Sequence, residues 1–249
     1  MAISFLLHKN HTAASSFSGY FHRETTMYIG RIMHTDLITV SPTTTLVEAK
    51  ELLEEKQIDH LLVVNDKKKL VGIVSDRDLK QYWASPATSL STHELSYLLQ
   101  KVLVSMIMIK TVVTVPVNTT IERAALVMQQ NRISALPVME NGELAGIITS
   151  TDVMGVLLQA IGISDDSVRL SIFVKDSIGK LAEVAETLRD AAINIQSLFS
   201  WPETQYEGIT QMVLRVASQD GNKAIAALAA KGFKVKNQYE KDIRPFLPA

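Results

Sequence analysis

The sequence predicts a mixed α/β protein of the α+β type, in which a duplicated unit of short strands and helices precedes a smaller unit of ferredoxin-like βαββαβ order. Two observations predict it. Met33 and the pattern that follows it recur 75 positions later, at Met108, over about 45 residues. From residue 161 onward the apolar pattern changes to longer strands and an Ala-rich helix. Since 47% of the 249 residues are hydrophobic, the chain has enough apolar side chains for a packed core.

The composition excludes several classes of protein. A net charge of −1 provides no field for holding nucleic acid, and the absence of cysteine excludes disulfides and thiolate metal sites. The apolar runs fall far short of the ~20 residues that a membrane helix requires. We therefore expect a cytoplasmic protein with no metal site and no nucleic-acid or membrane partner.

Residues 1–26 are rich in Ser, Thr and His and contain one short apolar run, at residues 3–7. That run is too short for a secretory signal, and it precedes the first basic residue, Lys9. These features predict a disordered N-terminal arm, with the folded chain beginning at Met27.

The two repeats, expected at 27–90 and 91–161, predict the same elements. In each, a β-branched strand leads to a threonine that caps a helix, which is Thr44 or Thr45 in the first repeat and Thr119 or Thr120 in the second. Two strands joined by a polar turn follow, and a further helix comes after them. The predicted strands are 38–40, 61–64 and 70–74, then 112–115, 136–139 and 144–149, and the last helices begin at residues 76 and 150. Between the repeats, residues 91–94 predict a capping box.

A linker at 162–167 leads to the third predicted domain, at 167–240. Apolar and polar side chains alternate over 168–175, which is typical of a half-buried strand. A turn at 176–179, a helix, two strands, an Ala-rich helix and a last strand follow, which gives the βαββαβ order. The two middle strands are predicted at 193–199 and 209–216, the Ala-rich helix at 222–231 and the last strand at 233–237.

The duplicated region, about 27–161, resembles a tandem pair of CBS domains. The family motif is a Gly, two aliphatic residues, a Ser or Thr, two free positions and an Asp. It occurs twice in register, as GIVSDRD at 72–78 and as GIITSTD at 146–152. The resemblance implies a pseudo-symmetric pair whose clefts take AMP, ATP or S-adenosylmethionine as a regulatory ligand, with no obligatory cofactor.

The chemistry of the two motifs agrees with this implication. A strand that runs into a helix start presents free N–H groups to an anion, and each motif adds a hydroxyl there. The aspartate three residues later can accept hydrogen bonds from ribose hydroxyls. The candidate contacts are Ser75, Asp78, Thr149 and Asp152, with Thr39 and Thr114 as weaker candidates at the cleft rim. Alternatively, the motif residues only cap the two helices.

The repeats differ near the motifs. Arg77, which can meet a phosphate, corresponds to Thr151, and His60 corresponds to Ala135. We interpret His60 as a partly buried packing residue rather than a pH switch. The two clefts are therefore expected to differ, and one of them can remain empty.

Residues 168–237 resemble an ACT domain, on the turn at 176–179 with its Gly and the following Leu181, and on Asn194 near the second strand. Such domains pair side by side and bind an amino acid or similar effector between the Gly turn and a neighbour's strand. The resemblance implies effector contacts at Asp176, Ile178, Gly179 and Asn194. Alternatively, Gly179 only permits the turn and Asn194 closes the helix.

A CBS pair followed by an ACT domain resembles the AcuB family, which is associated with acetoin utilisation. We find no P-loop, nucleophile elbow or dinucleotide-binding motif, and the two modules occupy the folded length, so we expect no catalysis. The sequence thus predicts a homodimeric regulatory protein that binds an adenosyl ligand and acts on a downstream protein that the sequence does not identify. A ligand-free dimeric scaffold is the alternative, and a slow nucleotide-processing enzyme is the third possibility.

Overall fold

The computed structural model describes residues 27–82, 97 and 99–248. The chain divides into two compact units between Val153 and Met154. The predicted N-terminal arm and the predicted capping box at 91–94 lie outside the described residues. No helix within the described ranges is long and apolar enough to cross a membrane.

Each repeat forms a three-stranded sheet with helices. The first repeat contains β1 (Thr39–Val40), α1 (Leu46–Lys56), β2 (His60–Val64), β3 (Leu70–Ser75) and α2 (Asp76–Tyr82). The second contains α3 (Val104–Ile107), β4 (Val115–Pro116), α4 (Ile121–Asn131), β5 (Ala135–Glu140), β6 (Glu143–Thr149) and α5 (Ser150–Ala160). The outer strands β1 and β4 pair in parallel with β2 and β5, which pair antiparallel with β3 and β6. The predicted mixed α/β class is confirmed.

Thr45 and Thr120, rather than the threonines before them, cap helices α1 and α4. The Thr45 hydroxyl accepts from the Glu48 N–H at 3.3 Å, and the Glu48 carboxylate accepts from the Thr45 N–H at 2.8 Å, which makes a full capping box. Thr120 accepts from the Arg123 N–H at 3.3 Å, and Arg123 has no carboxylate to return the bond. The two helices therefore begin at equivalent positions with different caps.

The segment that leads into each repeat packs on the other repeat. We call residues 27–34 and 102–109 the lead segments. In the first lead segment, the Ile29 N–H donates to the Thr119 carbonyl and the Gly30 N–H to the Val117 carbonyl. In the second, the Val104 N–H donates to the Thr44 carbonyl and the Ser105 N–H to the Pro42 carbonyl. The first lead segment thus completes the second repeat, and the second lead segment completes the first.

The lead segments end at a matching pair of backbone bridges. His34 pairs antiparallel with Ile147 on β6, and Ile109 pairs antiparallel with Ile73 on β3. The His34 N–H donates to the Ile147 carbonyl at 2.9 Å, and the Ile109 N–H donates to the Ile73 carbonyl at 2.9 Å. His34 and Ile109 therefore occupy equivalent places, each beside the motif of the opposite repeat.

The motif glycines make room for the lead segments. A Cβ on Gly72 would collide with the sulfur of Met108, and a Cβ on Gly146 would collide with the sulfur of Met33. Glycine at both positions lets the lead segment approach the strand closely, since a Cβ would also lie 3.3 Å from the Ile109 carbonyl oxygen at Gly72 and 3.0 Å from the His34 carbonyl oxygen at Gly146.

The second compact unit has the predicted ferredoxin-like order. Its elements are β7 (Ser167–Lys175), α6 (Lys180–Asp190), β8 (Ser197–Pro202), β9 (Ile209–Ala217), α7 (Gly221–Ala230) and β10 (Val235–Lys236). The strands form one antiparallel sheet in the order β10-β7-β9-β8. One face of β7 and β9 packs with both helices in a core that includes Leu170, Leu188, Leu214 and Leu228.

The structure corrects the predicted start of β8. A strand was predicted over 193–199, but β8 begins at Ser197. Ile193 is only 5% exposed and belongs to the core. It follows Ala192, whose φ of +53° turns the chain out of the helix. Ile193 is apolar because it packs in the core after the end of the helix. The apolar run in the sequence therefore starts before the strand does.

Candidate ligand-binding cleft

The two motifs form the same set of hydrogen bonds. The N–H and hydroxyl of Ser75 donate to Asp78 Oδ2 at 2.8 and 2.6 Å, and the Asp78 N–H donates to Ser75 Oγ at 3.3 Å. Thr149 and Asp152 repeat these three bonds at 2.8, 2.6 and 3.3 Å. The structure therefore brings each predicted hydroxyl to its predicted carboxylate, in the arrangement of a capping box.

Capping uses only one carboxylate oxygen of each aspartate. Within the described ranges, Asp78 Oδ1 has no hydrogen-bond partner. Asp152 Oδ1, in contrast, lies 3.0 Å from Nε2 of His34. A carboxylate oxygen without a partner can accept from a ribose hydroxyl, so that capping and ligand binding are compatible at Asp78.

A cleft of about 980 Å³ lies against both repeats within the first compact unit. Ser75, Asp78 and Thr149 line it. Asp152 does not line it directly, but its carboxylate contacts Thr149 and His34, which do. The volume is near the upper end of the roughly 300–1,000 Å³ that is typical of small-molecule sites.

Two of the weaker candidates do not line this cleft. Thr39 and Thr114 are exposed, and the residues before them, Ile38 and Val113, line the cleft instead. The reason is the alternation of side chains along a strand: Val40 is 7% exposed and belongs to the core, so that Thr39 points to the opposite face. The contact of the two threonines with a ligand at the cleft rim stays a prediction.

His60 and Ser134 connect the two repeats at the cleft. Nε2 of His60 lies 2.9 Å from Oγ of Ser134, and both residues line the cleft. Burial lowers the pKa of His60, and the carboxylates of Asp59 and Asp78 oppose this shift in part. The neutral imidazole is therefore favoured, and its partly buried position agrees with the sequence prediction.

Charged side chains are concentrated on the first-repeat side of the cleft. Lys80 forms an ion pair with Asp76. Arg77 is exposed and makes no ion pair or hydrogen bond within the described ranges. Arg132 is the charged residue that the second repeat contributes to the lining. Guanidinium groups without a carboxylate partner suit a phosphate, and the one at Arg77 adjoins Asp78.

Sequence reasoning missed His34, Ser134 and Arg132. No local pattern marks them as cleft residues. His34 and Ser134 contact residues that are far away along the chain, whereas Arg132 follows α4 in the left-handed conformation. One sequence signal marks His34. The repeat register aligns it with Ile109, so a polar residue stands where the other repeat has an apolar one.

The four candidates in the C-terminal unit do not come together within one chain. Asp176, Ile178 and Gly179 form the turn before α6, and Gly179 has a φ of +92°. Asn194 lies after the other end of α6, about 16 Å away for a helix of 11 residues. Asn194 also does not close the helix, since Ala192 adopts the left-handed conformation. No group of three or more acidic, His or Cys side chains within the described ranges could hold a metal ion.

Comparisons with known proteins identify the duplicated region. Residues 29–85 and 104–159 match the family model of the CBS domain. Among curated relatives, inosine-5′-monophosphate dehydrogenase of Staphylococcus haemolyticus is 26% identical over 216 residues, which cover 79% of this chain and 41% of that protein. The chain therefore spans less than half the length of this relative.

Two solved structures resemble this region. A putative acetoin utilization protein (AcuB) from Vibrio cholerae is 30% identical, with 54% of this chain and 93% of that chain covered and a TM-score of 0.45. CBSX2, solved in complex with AMP, is 32% identical, with 54% and 98% covered and a TM-score of 0.44.

Proposed function

Since this chain contains a tandem CBS domain pair, we propose that it is a non-catalytic regulatory protein that binds an adenosyl ligand, of the AMP, ATP or S-adenosylmethionine type, in the cleft between its repeats. The observation that carries this proposal is the Ser75–Asp78 motif at the cleft, which Thr149 of the second motif also lines, with Asp78 Oδ1 without a hydrogen-bond partner among the described residues. The carboxylate suits the ribose, and the helix start with Arg77 suits a phosphate.

The ligand would act by favouring one arrangement of the two repeats. Both repeats line the cleft, and His60 and Ser134 already join them there. A ligand that binds one arrangement more tightly shifts the population toward it, and couplings of this kind are typically ~1–3 kcal/mol.

The test is thermal unfolding of the full chain with AMP, ADP, ATP and S-adenosylmethionine in turn. A ligand at about 100 times its dissociation constant stabilises the folded state by ~2.7 kcal/mol. Asp78→Ala should abolish the ligand-induced shift. Because this substitution also removes a helix cap, which costs about 1 kcal/mol by itself, the comparison is the shift with and without ligand, within each variant.

The alternative function is a dimeric scaffold without a ligand. One observation favours it: each motif aspartate is already used as a cap, which explains the motif without any ligand. If none of the four compounds moves the unfolding transition, the scaffold is the better description. Formation of a product from ATP or ADP would instead support a nucleotide-processing enzyme.

For the C-terminal unit we propose an ACT-type role, with a small effector such as an amino acid bound between two copies. Since one chain places Asp176, Ile178 and Gly179 far from Asn194, such a site needs a second copy to bring them together. Ile178 is fully exposed, at 105%, and can contribute to pairing. Sedimentation of the full chain should show a dimer that Ile178→Asp weakens, and an unchanged monomer in both proteins would contradict this role.

A further inference from the structure

The two motif aspartates differ in what stands beside them. The lead segments place His34 next to β6 and Ile109 next to β3, in equivalent backbone bridges. The residue at this position contacts Asp152 in the second repeat, and in the first repeat it lies beside β3, the strand that leads to Asp78. One is an imidazole and the other is an aliphatic side chain.

In the second repeat, the imidazole of His34 contacts the carboxylate of Asp152. His34 Nε2 lies 3.0 Å from Asp152 Oδ1, while Thr149 donates to Asp152 Oδ2. Both oxygens of Asp152 are thus engaged by the protein. The His34 side chain is 52% exposed and the Asp152 side chain is 23% exposed, so the imidazole is the more exposed of the two partners.

In the first-repeat half, the carboxylate remains open. Ile109 has no side-chain donor, and within the described part of the chain Asp78 Oδ1 has no hydrogen-bond partner. Arg77, which is also without a partner there, precedes Asp78 and lines the same cleft, whereas the second repeat has Thr151. This half offers an acceptor for a ribose and a cation for a phosphate.

From these contacts we infer that His34 closes the second-repeat subsite, and that the protein binds one phosphorylated adenosine at the first-repeat subsite. The inference rests on the proposed function and specifies the regulation of that same site. A ligand at Asp152 must first displace His34, and its apparent affinity is reduced by the fraction of molecules in which the subsite is closed.

The experiment is calorimetric titration of the full chain with AMP. The wild-type protein should bind one equivalent, and His34→Ile, which copies the residue of the other repeat, should bind two. Ile109→His copies His34 at the equivalent position of the other repeat and should weaken the wild-type site by about tenfold, equivalent to ~1.4 kcal/mol. His34→Ala is the second variant if His34→Ile does not fold, as judged by circular dichroism.

The outcomes separate the two proposals. Two equivalents bound by the wild-type protein, or one equivalent bound by both His34 variants, would overturn the closure by His34 and leave nucleotide binding intact. Absence of AMP binding in the wild-type protein and in every variant would overturn this inference, whereas the proposed function fails only if none of AMP, ADP, ATP and S-adenosylmethionine moves the unfolding transition. If the wild-type protein binds one equivalent and the Asp78→Ala variant still binds it, the ligand does not occupy the first-repeat subsite. That result would overturn the assignment of the open subsite.

Discussion

The two repeats share a backbone and differ in the chemistry at the cleft. Their sheets have the same pairing, their final helices are capped with the same three bond lengths, and their lead segments exchange through equivalent bridges. Yet among the described residues Asp78 Oδ1 has no hydrogen-bond partner and Arg77 precedes it, while Asp152 Oδ1 contacts His34. A duplicated fold can therefore keep its packing positions identical while single side chains give the two halves different binding properties.

The largest effects should come from the packing that the repeats share. Leu61 and Leu136 are equivalent residues on β2 and β5, and both are 0% exposed. Leu61→Ala and Leu136→Ala should each lower the free energy of unfolding by ~2–5 kcal/mol, because each leaves a cavity in a packed core. Urea denaturation of the two variants measures this. If one variant loses stability within this range and the other falls outside it, the two repeats are not equivalent in packing.

A smaller effect should separate the two helix caps. Thr45 forms a reciprocal box with Glu48, whereas Thr120 makes a single capping bond. Thr45→Ala should cost ~1–2 kcal/mol and Thr120→Ala about 0.5–1 kcal/mol, measured by urea denaturation. Thr43→Ala is a control outside both caps. A larger loss at Thr120 than at Thr45 would contradict the comparison.

The smallest effect should be a pH dependence that only the first repeat carries. Burial lowers the pKa of His60 below its ordinary value of 6.5. As the pH falls below 6.5, the unfolded chain binds a proton that the folded chain resists, so the free energy of unfolding falls. His60→Ala, which copies Ala135, should remove this part of the decrease in thermal melts between about pH 8 and pH 5. A variant that loses stability as steeply as the wild-type protein would refute the assignment.

Sequence patterns predicted those parts of the fold that depend on neighbours along the chain. The repeat and the order of elements follow from the spacing of residues, and each is present. Ser75 and Asp78 are predicted as ligand contacts or, alternatively, as helix caps, and the structure contains the capping bonds between them. The Thr44 or Thr45 alternative was decided by geometry, because only Thr45 lies three residues before Glu48. The start of β8 was predicted too early because an apolar residue in a core position resembles a strand residue.

The contacts that define the two halves of the cleft were not predictable in this way. His34 and Asp152 are 118 positions apart, and they meet only because a lead segment crosses to the other repeat. His60 and Ser134 are 74 positions apart and meet for a similar reason. Such contacts depend on the relative placement of two repeats, which hydrophobic periodicity does not encode.

The crossing of the lead segments has a consequence for how such a protein can arise and fold. Because each repeat receives backbone hydrogen bonds from the segment that belongs to the other, a fragment cut between residues 82 and 102 would leave donors and acceptors exposed on both pieces. Two identical single-repeat chains could make the same exchange between themselves, as a domain-swapped pair with two-fold symmetry. Fusion of such a pair into one chain would retain the swap as an intramolecular contact. The two halves could then change their side chains independently, which two identical chains cannot do.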